Sequence, residues 1–141
     1  MIIIKSQREI MLIREASRIV AQVLKELESF IVPGVTTKQI SLKAEEIIRN
    51  AGAIPASKGY NGYPEAICTS VNDVIVHGIP NNRKLKEGDI VSCDVVVTYQ
   101  GYNGDACRTY RVGKVSEEAD RLIRETEECN RRMFRKSTRI S

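Results

Sequence analysis

The chain has 141 residues, of which 42% are hydrophobic and 28% are charged, and its formal net charge is +4. This size and apolar content suit one globular domain with a buried core. The apolar run at the amino terminus stops at Lys5, far short of a signal-peptide core or a membrane span. We therefore expect a cytoplasmic protein with no membrane partner.

The positive charge lies at the carboxyl end of the chain. Residues 130–141 carry no acidic side chain, and their basic residues are Arg131, Arg132, Arg135, Lys136 and Arg139. Without these five, 17 basic side chains face 18 acidic ones, so the body of the chain is nearly neutral. A neutral body attracts a polyanion weakly, and we do not expect nucleic acid to be the main partner.

Two helices are predicted in the first third of the chain. Ser6 with Glu9, and Thr36 with Gln39, fit the capping box that begins a helix. Behind each cap, apolar residues recur at helical spacing and form one stripe that should be buried. The stripes consist of Ile13, Ala16, Val20, Val23, Leu24 and Leu27, and of Ile40, Ala44, Ile47, Ile48 and Ala51. Gly52 suits the left-handed position after the second helix.

The middle of the chain changes from helix patterns to loop and strand patterns. Glycine, proline, asparagine and tyrosine crowd residues 55–64, which is typical of a loop. Content of β-branched residues then predicts short strands at 66–71 and 74–76, and residues 86–89 predict a turn.

A β-hairpin is the clearest element in the sequence. Residues 90–99 and 105–112 are predicted strands on either side of a turn at Gln100 and Gly101. Ser116 should cap a last helix. The predicted fold class is therefore α+β with an antiparallel sheet.

The hairpin brings two carboxylates onto one face of the sheet. If Gln100 and Gly101 form the turn, Val96 lies opposite Asp105, and Asp94 shares that face with Asp105 about 7 Å away at the backbone. Carboxylates that reach from adjacent strands can hold a pair of divalent ions. Alternatively, Asp94 lies at an exposed strand position or accepts from backbone N–H groups, and Asp105 merely begins a strand. Spacing alone does not decide between these interpretations.

His77 is the only histidine in the chain and follows a predicted strand. A lone histidine at that place is more often a hydrogen-bonded structural residue than a functional one. The four cysteines show no C-x-x-C spacing, which excludes a zinc finger and does not favour disulfides.

Five ordered motifs resemble the type I methionine aminopeptidases. They lie at 58–64 (KGYNGYP), 67–72 (ICTSVN), 76–80 (VHGIP), 85–90 (LKEGDI) and 101–109 (GYNGDACRT). The resemblance runs from about residue 2 to residue 128, and it implies the amino-terminal half of a pita-bread fold. In that half, two long helices pack on one face of an antiparallel sheet, and a third helix follows. The implied domain is 1–129, with a divergent basic tail at 130–141.

The resemblance also implies a function and its residues. The family removes the initiator methionine from new polypeptides, by hydroxide that two divalent ions (cobalt, manganese, iron or zinc) activate. By motif, Asp94 and Asp105 would be metal ligands, and His77 would act on the scissile peptide as the catalytic residue. The residues that match the methionine pocket are Tyr60, Tyr63 and Cys68. Taken without the family, two tyrosines and a thiol near a loop are more often ordinary core residues.

The chain departs from the family at its end. The family's remaining ligands, one histidine and two glutamates, have no counterpart here, and the glutamates of the last predicted helix look solvated. We therefore expect an incomplete ligand set, little or no activity of this truncated chain alone, and a homodimer formed through the bare surface of the half-fold. The main rival is a non-catalytic pita-bread module that binds peptide or protein. A nucleic-acid binder that uses the basic tail is a third hypothesis.

Overall fold

The computed structural model describes residues 3–137, which form three α-helices and a four-stranded antiparallel sheet. A short 3-10 turn at Tyr60–Gly62 interrupts the loop before the second strand. The elements are α1 (Gln7–Phe30), α2 (Thr37–Asn50), β1 (Ile54–Pro55), β2 (Cys68–Val71), β3 (Ile90–Tyr99), β4 (Tyr102–Arg111) and α3 (Glu117–Ser137).

Both predicted capping boxes are confirmed. The Ser6 N–H donates to the Glu9 carboxylate at 2.7 Å, and the Thr36 N–H donates to the Gln39 side chain at 2.9 Å. The predicted stripes are buried except for Ile13 and Ala51, which are partly exposed. These faces supply most of the helical contribution to the hydrophobic core.

Strand β3 organises the sheet. It pairs with β4 along one edge over its whole length, while β1 and β2 pair with two different segments of it. Every second β3 side chain, from Val91 to Val97, is fully buried against the helices. Helix α1 packs mainly on β3 and β4, and α2 packs on β1 and β2. The opposite face of the sheet, which we call the open face, therefore has no long amino-terminal helix on it.

Close packing of α1 on the hairpin depends on Gly104. A Cβ built at this position would lie 2.5 Å from the carbonyl carbon of Ala16 in α1. A residue with a side chain would therefore force the helix and the strand apart.

Two predicted strands differ from the structure. Residues 74–76 are not a strand: Val74, Ile75 and Val76 are exposed, and no neighbouring strand pairs with them within the described residues. The prediction at 66–71 was too long because the Ala66 N–H donates to the Ser41 hydroxyl of α2 instead of joining the ladder. The second hairpin strand begins at Tyr102, earlier than predicted, because pairing starts directly after the turn.

Helix α3 lies beside the open face at the end distant from the turn. The Ser116 hydroxyl accepts from the Ala119 N–H, as predicted, and Arg111 of β4 donates to Asp120 at 2.7 Å. The helix continues through Ser137 and so includes most of the basic segment, whereas residues 138–141, with Arg139, lie outside the described residues. No helix in the described part of the chain has the length and apolar content needed to cross a membrane.

Candidate functional site

The hairpin register places the two aspartates as the sequence predicts. Gln100 and Gly101 both have positive φ, at 47° and 84°, which suits a tight hairpin turn. Tyr99 then pairs with Tyr102, and Val96 pairs with Asp105. Because Asp94 is two residues from Val96, Asp94 and Asp105 lie on the same face of the sheet.

The open face carries a row of three polar side chains across three strands. Asp94 of β3 pairs with Cys68 of β2 on one side and with Cys107 of β4 on the other. All four cysteines of the chain are free thiols. The row lies at the centre of the sheet, where neighbouring loops cover it in part.

One cavity of about 650 Å³ contains all six predicted site residues. Its floor is the open face, with Asp94 and Asp105, and its walls come from the loops before and after β2. The predicted residues in its lining are Tyr60, Tyr63, Cys68, His77, Asp94 and Asp105. Val96 and Ile79 also line it, and neither was predicted to be a site residue. The hairpin register could have identified Val96, since it lies opposite Asp105.

The acidic pair gives the cavity a character that favours cations. Partial burial raises the pKa of Asp94, the nearby charge of Asp105 raises it further, and His77 opposes both effects. The ionised form of Asp94 is therefore less favourable here than in water, and a bound cation would offset that cost. Carboxylate oxygens are preferred ligands of manganese and magnesium, and they can also bind iron, cobalt or zinc.

The donor set fits part of a divalent metal site. Asp94 and Asp105 are oxygen donors on one face of the sheet and in one cavity. Within residues 3–137, however, no group of three or more histidine, cysteine, aspartate or glutamate side chains is arranged to hold a metal ion. The two carboxylates alone would leave most coordination positions to water or to another molecule.

Tyr63 and Cys68, which lie in the cavity wall, are held in their neutral forms. Burial raises the pKa of the Tyr63 phenol and of the Cys68 thiol, so both groups stay protonated at neutral pH. The Tyr63 hydroxyl lies 3.2 Å from the carbonyl oxygen of Ile67 and 3.1 Å from that of Gly78. Since backbone carbonyls accept the proton of this hydroxyl, Tyr63 can offer a ligand only its ring and the lone pairs of its oxygen.

His77 reaches the cavity from a loop with an uncommon backbone conformation. Its φ is 57°, in the left-handed region that residues with a side chain seldom adopt. Strain of this kind is concentrated at functional sites and persists where surrounding contacts enforce it. No sequence pattern around His77 predicts this conformation.

Metallopeptidase family M24 matches residues 11–139 of this chain. Methionine aminopeptidase 1 of Bacillus subtilis is 49% identical over 128 residues, which are 91% of this chain and 52% of that protein. The chain thus spans about half the length of the curated relatives it matches.

Solved structures agree with the sequence comparison. The methionine aminopeptidase of Rickettsia prowazekii superposes with a TM-score of 0.89 at 40% identity, and that of Thermotoga maritima with 0.87 at 46%. Each match covers 91% of this chain and 52% of the solved one. The predicted fold, an α+β half of the pita-bread architecture, is thereby confirmed.

Proposed function

Because the chain belongs to metallopeptidase family M24, we propose that it forms the half of a methionine aminopeptidase that holds metal ions and receives an amino-terminal methionine. The observation that carries the proposal is the single cavity in which two carboxylates, the lone histidine and an apolar wall meet. Relatives named methionine aminopeptidase, identical at nearly half of the aligned positions, indicate which substrate this combination serves.

Each polar residue has a distinct proposed task. Asp94 and Asp105 would hold two divalent ions, drawn from cobalt, manganese, iron or zinc, with further ligands from outside the described residues. Bound ions of this kind supply Lewis acidity toward a peptide carbonyl and a nucleophile from water near neutral pH. The His77 imidazole would donate a hydrogen bond to the scissile peptide and so orient it over the carboxylates.

The remaining wall would receive the methionine side chain. The rings of Tyr60 and Tyr63 and the neutral thiol of Cys68 offer an apolar, polarisable surface that suits a thioether. Because the pKa of Cys68 is raised, its thiol would line the pocket and would not act as a nucleophile.

We propose that this chain alone is inactive or weakly active, since two carboxylates hold a metal pair poorly. The test combines metal analysis with methionine release from the peptide Met-Ala-Ser. The metal site is supported if the wild-type chain binds metal and the double variant, Asp94→Asn with Asp105→Asn, does not. Slow release of methionine supports the activity. If the double variant binds as much metal as the wild type, these two aspartates are not the ligands.

A second candidate is a non-catalytic pita-bread module that binds peptide. The absence of a three-ligand group from the described residues favours it. This candidate predicts that Met-Ala-Ser binds equally well with and without divalent ions and is never cleaved. Isothermal titration in chelator and in manganese separates it from the enzyme.

We further propose a homodimer through the rim of the cavity. Exposed apolar side chains line the cavity beside the acidic pair, with exposed fractions of 71% for Tyr60 and 54% for Ile79. Such a patch drives association. Two copies face to face would bring four aspartates together, so the dimer should need divalent ions to offset their repulsion. Light scattering that shows a monomer in both manganese and chelator would contradict it.

A further inference from the structure

The loop that carries His77 is fixed to the sheet at the next residue. The Thr69 N–H donates to the Gly78 carbonyl oxygen at 2.8 Å, and the Tyr63 hydroxyl lies 3.1 Å from that oxygen. The Gly78 N–H donates to the Ser70 hydroxyl oxygen at 3.1 Å. Both backbone polar groups of Gly78 are therefore bonded to the region around β2.

Contact between this loop and β2 is as close as the backbones permit. A Cβ built on Gly78 would lie 2.2 Å from the carbonyl oxygen of Thr69. Only glycine can occupy this position without pushing the loop away from the strand. The attachment of the loop to β2 therefore requires a residue without a side chain at position 78.

Among these contacts, the bond to Ser70 acts most directly on His77. The Gly78 N–H belongs to the peptide group that follows the His77 Cα. The orientation of that group depends on the φ and ψ angles of His77, so the bond to Ser70 restrains both angles. The bonds from the Thr69 N–H and the Tyr63 hydroxyl hold the Gly78 carbonyl, which belongs to the next peptide group. Ser70 is 5% exposed and lies two residues after Cys68, so its hydroxyl lies on the cavity side of β2.

We propose that Ser70 is a positioning residue: its hydroxyl holds the strained backbone of His77 so that the imidazole stays beside Asp94. This inference rests on the proposed role of His77 in binding the peptide. Ser70 itself does not line the cavity and need not touch a substrate. Its effect passes through the Gly78 N–H and the His77 backbone.

Thr69 provides a matched control on the same strand. Its hydroxyl is buried, but within the described residues it makes no hydrogen bond. Replacing Thr69 with the isosteric valine removes a buried hydroxyl and keeps the backbone N–H that donates to Gly78. Ser70→Ala and Thr69→Val therefore remove the same group from adjacent residues, and only the first should affect His77.

The experiment compares the two variants with the wild-type chain by NMR. In Ser70→Ala, we expect hydrogen exchange of the Gly78 amide to rise about tenfold, the factor that corresponds to one lost hydrogen bond. The backbone shifts and the amide-to-Hα coupling of His77 should move toward those of a residue with negative φ. Thr69→Val should leave both unchanged. Ser70→Cys, which keeps the shape of the side chain, is slightly larger and accepts hydrogen bonds weakly, should behave as Ser70→Ala does.

A second readout connects the backbone to the cavity. Since His77 is the only histidine, its ring protons are easily assigned. Added manganese should broaden them in wild type and in Thr69→Val, and broaden them less in Ser70→Ala. Amides of the β3–β4 hairpin report whether each variant is folded.

The outcomes separate this inference from the proposed function. Unchanged Gly78 exchange and His77 shifts in folded Ser70→Ala and Ser70→Cys would overturn the positioning role, and so would equal changes in Thr69→Val. Failure of manganese to broaden the wild-type ring would count against the metal site alone, because the exchange and shift measurements need no metal.

Discussion

The β3–β4 hairpin and the loop at 72–80 deliver side chains to one cavity by different means. The hairpin positions Asp94 and Asp105 by a ladder in which every residue has a partner. The loop positions His77 by a few contacts at Gly78. A ladder fixes the direction of each side chain through strand alternation, whereas an irregular loop depends on individual tertiary bonds. A substitution that forces a side chain into the hairpin should therefore cost more stability than one in the loop, because the loop can move by itself. One glycine in each region tests this directly.

Gly104→Ala should have the largest effect. Its Cβ would meet the backbone of α1, and neither the helix nor the paired strand can move alone. We expect the free energy of unfolding to fall by about 3 kcal/mol. Urea denaturation measures it. The exposed neighbour Ala106 supplies the control, since Ala106→Ser should change stability by less than about 0.5 kcal/mol.

Gly78→Ala should cost less in stability although its clash with Thr69 is closer. The loop can move away from β2 without displacing a helix, so we expect a loss of about 1–2 kcal/mol. The His77 ring signals should shift, while the amides of the hairpin stay in place. If Gly78→Ala destabilises the chain as much as Gly104→Ala does, the loop and hairpin do not differ as proposed.

The same contrast explains what the sequence could predict. Capping boxes, apolar stripes and the Gln100-Gly101 turn are local patterns, and they correctly predicted two helices and the hairpin register. The register brought Asp94 and Asp105 to one face without any further information. Patterns repeated along the chain were therefore sufficient for the regular half of the site.

The loop could not be predicted in this way. The β-branched residues at 74–76 resemble a strand, but no strand between residues 3 and 137 pairs with them, and they remain exposed. The positive φ of His77 and its bonds to β2 depend on residues that are distant along the chain, such as Tyr63. Only the resemblance to a known family placed His77 with the aspartates, and its role stays a prediction.

Asp89 joins the two regions and should show a smaller effect that depends on pH. Its carboxylate accepts from the Asn72 side chain and the Lys86 N–H, both at 2.9 Å. Burial alone would raise the pKa of Asp89, but these bonds and Arg83 outweigh it, and the pKa lies below its ordinary value of 3.8. We expect Asp89→Asn to cost about 1 kcal/mol at pH 7.

The sign of the pH effect follows from the lowered pKa of Asp89. The stability that its carboxylate contributes is complete above pH 3.8, the ordinary value, and is lost as the pH falls through the lower folded value. Denaturation curves of wild type and Asp89→Asn should therefore converge at the acidic end. If the difference in free energy of unfolding between wild type and Asp89→Asn stays constant to pH 2, the charge of Asp89 is not the source of that difference.

Asp94→Asn should have the smallest effect and the opposite sign. Burial and the charge of Asp105 raise the pKa of Asp94, so its ionised form is less favourable in the folded chain than in the unfolded one. The penalty is absent at low pH and grows as the pH rises through the folded pKa. At pH 7 in chelator, we expect Asp94→Asn to stabilise the chain by about 0.5 kcal/mol, because the site is partly solvated.

Divalent ions should reverse the order of stability of wild type and Asp94→Asn. Manganese that binds the native chain raises its stability by mass action, and the loss of one ligand reduces the gain. Wild type should therefore become the more stable protein as manganese is added, while Asp73→Asn, at an exposed acid outside the cavity, should follow wild type throughout. If Asp94→Asn destabilises the chain in chelator, the charge of Asp94 carries no free-energy penalty in the folded sheet. The acidic pair is then an ordinary part of the sheet.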